Sequence, residues 1–141
     1  FKNLDKKLYT ISGKSKIELC DLYDIERKAF IHVKKNGGSS VLSHLFQQAQ
    51  NSAKILCDKN ERKRIIDFYK EKTNVNIEYN FQYEIVMTII TNVIFEKNEH
   101  INIPFFSKMS VVSAAKEIEL MGFNPKIAFI YSSAPLHEKN R

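Results

Sequence analysis

The chain has 141 residues, of which 43% are hydrophobic and 11% aromatic. That length and composition suit one folded domain with its own core and exclude an intrinsically disordered segment. The formal net charge of +6, from 22 Lys and Arg against 16 Asp and Glu, favours polyanionic partners without requiring them, a solvated basic surface being the plain alternative.

No apolar run approaches the length of a membrane span, and Phe1-Lys2-Asn3 opens no hydrophobic signal segment, so a soluble, cytoplasmic setting is expected. Because the first residue is Phe rather than Met, the chain is read as part of a longer protein. Two cysteines, Cys20 and Cys57, are too few for a disulfide framework and lie in no Cys/His cluster suited to zinc. Both are expected to be reduced, partly buried thiols.

In chain order, residues 7–11 give the first predicted strand and Ser12-Gly13-Lys14-Ser15 a turn. Residues 16–24 and 29–35 follow as two more strands, separated only by Ile25 to Lys28, so the N-terminal part is expected to be a three-stranded antiparallel meander. A turn centred on Glu26-Arg27 places Asp21 across from His32 and sets Lys34 one step along the same face. In that register Glu18 and Asp24 point to the other face, where Glu18 meets Lys35, and a slip of one residue would reverse the assignment.

The third strand runs through Asn36-Gly37-Gly38 into a helix over residues 39–57, marked by Leu42, Leu45, Phe46, Ala49, Ala53 and Leu56 and capped by Ser39 or Ser40. A lysine at a strand end, a glycine loop and a helix N-terminus can together gather phosphate charge, which makes Lys35, Ser39 and Ser40 candidate contacts. The segment lacks the spacing and terminal Lys of a Walker loop, so a serine-capped turn is the plainer reading. Ser40, His44, Gln47 and Asn51 form a polar stripe on the helix that faces solvent or a ligand.

A second, densely charged helix is predicted over residues 59–72, with Ile65, Ile66, Phe68 and Tyr69 as its apolar side. Its Arg62, Lys63 and Arg64 could contact a phosphate backbone, or simply form a solvated face. Residues 73–80 make a polar connection, and 83–90 read as a central buried strand, with a short helix the alternative that periodicity leaves open; Glu84 is the one nearby acid. Residues 96–102 form a loop, Pro104 to Lys108 lead into a helix over 110–121 that Gly122 stops, residues 126–131 make the last strand, and 132–141 a mobile polar tail. His100 and His137 fall in the loop and the tail. The order implies a single α/β domain over residues 1–131, built as one mixed sheet with an N-terminal antiparallel meander and flanking helices.

The blocks Cys20-Asp21-Leu22, Ile31-His32-Val33-Lys34, Ser39 to Phe46, Pro104 to Lys108 and Met121-Gly122-Phe123 resemble the C-terminal region of a sporadically distributed, largely uncharacterised prokaryotic protein family. The match spans residues 18–130, and its implication for activity is small. More broadly, the predicted meander, helix and strand resemble the PD-(D/E)XK restriction-endonuclease-like fold. That resemblance implies Asp21 as the carboxylate holding Mg²⁺ or Mn²⁺ and Lys34 as the cation that orients water and stabilises developing phosphate charge. Cys20 stands where the family has proline, and His32 where it has a second acidic ligand. Magnesium prefers oxygen donors, so His32 fits manganese better, or serves as a general base or a phosphate contact, or marks a decayed site that binds without cutting.

Taken together, Asp21, His32 and Lys34 form the expected catalytic set, and Lys35, Ser39, Ser40, His44, Gln47, Arg62, Lys63 and Arg64 the expected nucleic-acid contacts, with DNA favoured over RNA. The expected function is nucleic-acid binding with possible metal-dependent phosphodiester hydrolysis in a prokaryotic defence setting. The rival expectation is a non-catalytic interaction module that binds nucleic acid or another protein. An ordinary cross-strand ion pair of Asp21 with Lys34 or His32 is an equally good structural reading of the patch.

Overall fold

The computed structural model describes residues 1–11, 15–78, 82–92 and 105–133. In chain order these form β1 (Lys2–Asn3), β2 (Leu8–Ile11), β3 (Ser15–Glu18), β4 (Leu22–Asp24), β5 (Ala29–Lys35), α1 (Ser39–Cys57), α2 (Lys59–Thr73), β6 (Glu84–Thr91), α3 (Phe105–Leu120) and β7 (Asn124–Tyr131). A five-stranded mixed sheet has the order β1-β4-β5-β6-β7, and β2 and β3 form a separate antiparallel pair. β1, β4 and β5 pair antiparallel, whereas β5, β6 and β7 run parallel.

The parallel half requires helical crossovers, and right-handed crossovers from β5 to β6 and from β6 to β7 put their helices on one face. α1 accordingly packs on β5, β6 and α3, and α3 on β7. The face beneath them carries Phe30, Ile85, Met87 and Ile89, all buried, and receives Leu42, Leu45, Phe46, Ala49 and Leu56 from α1. Tyr23, Phe30 and Tyr83 extend this core as a row of rings with centroids 5.1 and 5.0 Å apart. On the opposite face, Leu22, Ile31, Val33, Val86, Ala128 and Ile130 line a shallow apolar cavity to which, among the described residues, no helix contributes. The helices therefore cover one side of the sheet.

Local chemistry fixes the joints. The turn between β4 and β5 is centred on Glu26-Arg27 as expected, with Asp24 opposite Ala29 and the Asp24 carboxylate accepting the amides of Glu26 and Arg27. One residue, Asp58, separates α1 from α2: its carboxylate accepts the Asn60 and Glu61 amides at 2.9 and 3.0 Å, which starts the second helix. Asn74, left-handed at φ 57°, ends it.

Three expectations are corrected. The N-terminal region is not one meander: β3 pairs with β2, with Glu18 opposite Leu8, and the chain then turns at Leu19 and Cys20 before β4 joins the main sheet. Glu18 therefore does not meet Lys35. The cap of α1 is Gly38, at φ 96°, rather than Ser39 or Ser40, and no side-chain hydrogen bond caps that end. Finally, α3 begins at Phe105, five residues before the expected start. The predicted loop at 96–102, with His100, and most of the predicted tail, with His137, lie outside the described residues.

Candidate functional site

The break between β3 and β4 builds the site. Leu19 and Cys20 are fully buried, so the strand pattern in the sequence is real burial, but the backbone leaves the ladder there. The Leu19 amide donates to the Tyr69 hydroxyl at 3.0 Å, and the Ser52 hydroxyl donates to the Leu19 carbonyl, so the helices supply the partners that a neighbouring strand would have given. Tyr69 also donates to the Lys7 carbonyl, tying the two-stranded pair to the same point.

Asp21 is the first residue back in the main sheet, and it is fixed on three sides. Its amide donates to the Ile31 carbonyl at 3.0 Å and its carbonyl accepts from Leu4 at 2.9 Å. Its Oδ2 accepts the Val33 amide at 2.7 Å, closing the ladder where the backbone of residue 19 has turned away. The paired register ends at Leu22 with Ile31, so the expected pairing of Asp21 with His32 falls one residue beyond the ladder, where the Asp21 side chain reaches across to the Val33 amide of β5.

The same turn gathers carboxylates. One oxygen each from Asp5, Glu18 and Asp21 lies within 4.8 Å of the other two. Glu18 Oε2 accepts the Lys6 amide at 2.6 Å, and Asp5 is placed by a local bond from its amide to the Asn3 side chain. Burial, then a hydrogen bond to Asp21, pushes the Glu18 carboxyl up to about 7. Below neutrality Glu18 thus holds a proton and shares it with Asp21, as expected when acids crowd a half-buried corner. Three hard oxygen donors at this spacing fit a hard divalent cation, which would displace that proton.

His32 is buried, and its Nε2 has no hydrogen-bond partner among the described residues. Burial pushes its pKa down to about 4, Asp21 opposing and Lys34 adding to the effect. It is a neutral imidazole at neutral pH, flanked by one charge of each sign and shut off from solvent. Lys34 shares its face by strand alternation and is half-buried, while Lys35 points the other way and is exposed.

The remaining candidates are dispersed. Ser39 and Ser40 are exposed in the first turn of α1, and His44 and Gln47 on its solvent side, where Gln47 donates to Asn51 at 3.0 Å. Arg62 and Lys63 line one cavity with Lys59 and Asp67, and Arg64 is not among its lining residues. Successive helical residues diverge by about 100°. Arg62 donates to the Leu56 carbonyl, Arg64 pairs with Glu61 at 3.3 Å, and Lys63 is exposed. Glu84 pairs with Lys126 at 2.6 Å. The cysteines are both free thiols, Cys20 buried and Cys57 exposed.

A family model described as a family of unknown function (DUF6119) matches residues 1–131. The chain belongs to the DUF6119 family. No match was found among curated proteins or among solved structures. In this DUF6119 domain the residues that sequence reasoning missed are Asp5 and the true position of Glu18. Strand alternation sends residues three apart to opposite faces, so only the break at Leu19-Cys20 lets Glu18 meet Asp21. Among the described residues, no helix is long and apolar enough to cross a membrane.

Proposed function

We propose that this domain binds nucleic acid, DNA rather than RNA, and hydrolyses phosphodiesters from a restriction-endonuclease-like core. The observation that carries the reading is the carboxylate corner of Asp5, Glu18 and Asp21 standing one strand away from Lys34. A hairpin followed by a helical crossover to a parallel strand is compatible with that core, and Glu18 supplies the second acid that His32 cannot. Asp21, Glu18 and Asp5 would hold Mg²⁺ or Mn²⁺, which when bound supplies Lewis-acid activation of water and of the phosphate.

The chain's own residues do the rest. Lys34 places a positive charge beside the scissile phosphate, where charge grows in the transition state. Glu18 releases its proton as the cation binds. His32 is too buried to take a proton from water or touch substrate, and as a neutral group it adds no charge to the corner.

The test is cleavage of single- and double-stranded DNA and RNA with Mg²⁺ or Mn²⁺. Lys34→Ala should cut cleavage by roughly a hundredfold or more while weakening binding only modestly. Metal-dependent cleavage absent on every substrate, together with tighter binding by Asp21→Asn, would instead support a non-catalytic interaction module. The open apolar face of the sheet favours that second reading.

A further inference from the structure

α3 carries apolar side chains on its outer side as well as on its inner side. The inner side, including Val111, Ala114 and Ile118, is buried in the core. The outer side leaves Phe106 75%, Met109 57%, Val112 54% and Leu120 88% exposed. A surface helix ordinarily gives that side to charged residues, and a contiguous apolar stripe on a folded domain marks a surface that something covers. Lys108, Lys116 and Glu119 lie along the stripe, exposed, and none has an ion-pair partner among the described residues.

We propose that the outer face of α3 packs antiparallel against the same face of a second copy of this chain, about a two-fold axis that passes between the two helices at the level of their midpoints. The spacing selects a second copy over an unrelated partner. Lys108 and Glu119 are eleven residues apart, and so are Met109 and Leu120; eleven residues are three turns and about 20° more, so each pair lies on one stripe about 16 Å long. Val112 and Lys116 flank the same centre. All three pairs have their midpoints between Ser113 and Ala115, so one two-fold operation satisfies them together.

In that arrangement Lys108 of each copy meets Glu119 of the other, and Met109 covers Leu120. Val112 lies along the aliphatic stem of Lys116, whose ammonium reaches out to water. Ser113, small and exposed, lies at the edge of the contact on the side of Met109 and Leu120. Each contact forms twice, as an isologous interface requires. One sixteen-residue helix per copy gives an interface at the low end of specific sizes, so association should be reversible and roughly micromolar.

Sedimentation equilibrium of the whole chain between roughly 1 and 500 µM tests this. A concentration-dependent dimer is expected. Lys108→Glu and Glu119→Lys should each weaken it about tenfold, the two together should restore it, and Leu120→Asp should abolish it. All these side chains are exposed, so circular dichroism and melting of the variants should match the parent. A chain that stays monomeric throughout would overturn the proposal. So would a dimer indifferent to the single charge reversals, or a double variant no tighter than either single one.

Discussion

Asp21 Oδ2 accepts the Val33 amide at 2.7 Å, a side-chain oxygen standing where a strand's backbone carbonyl would be. The carboxylate that is the leading candidate for metal chemistry is therefore also a structural member of the sheet. The two roles separate by substitution. Asp21→Asn keeps an oxygen for Val33 and removes the charge; it should fold with stability close to the parent and lose divalent-metal binding. Asp21→Ala strands a half-buried amide and should cost about 1–3 kcal/mol in urea unfolding. Equal stability of the two variants would show that the Val33 bond contributes nothing.

Glu18 sets a pH dependence of opposite sign to the usual carboxylate. Its folded value of about 7 lies above the model-peptide value of 4.5, so across that window the folded chain holds a proton that the unfolded chain has lost. Its contribution to stability is complete below about 4.5 and falls away as pH rises to about 7. Glu18→Gln should remove this slope in a pH series of denaturant midpoints. Calorimetry of Mg²⁺ or Mn²⁺ binding in two buffers below pH 7 should also show a released proton, and that proton should vanish in Glu18→Gln.

His32 works in the other direction over nearly the same range. Its folded value of about 4 is below the ordinary 6.5, so as pH falls through that interval the unfolded chain takes up a proton that the folded one refuses, and stability drops. An NMR titration should find one imidazole that does not protonate until about pH 4. A midpoint near 6.5 for His32 would contradict its burial. In the parent protein the Glu18 and His32 slopes oppose each other, so Glu18→Gln should steepen the acid-side loss.

The turn at Leu19 depends on two hydroxyls from the helices. Tyr69→Phe removes the partner of the Leu19 amide and of the Lys7 carbonyl, and Ser52→Ala that of the Leu19 carbonyl. Each should cost about 1–3 kcal/mol, and the pair should be non-additive because both act on one residue. Tyr69→Phe should also weaken metal binding, since the position of Glu18 depends on where the chain turns. Unchanged metal affinity in that variant would separate the turn from the site.

Sequence alone determined what local periodicity and short-range chemistry can fix. The bounds of α1, with Leu42, Leu45, Phe46 and Ala49 on one side, and the turn at Glu26-Arg27 that sets Leu22 opposite Ile31, both follow from spacing within a few residues. Only the tertiary structure decided where the chain leaves that pattern. Leu19 and Cys20 are apolar and buried as a central strand would be, yet the backbone bonds of Leu19 go to Ser52 and Tyr69, more than thirty residues away. That detour swings Glu18 onto Asp21 and brings Asp5 to both. Burial is written into the residue types, but the partner that satisfies each buried polar group is chosen by distant segments, which a local reading cannot see.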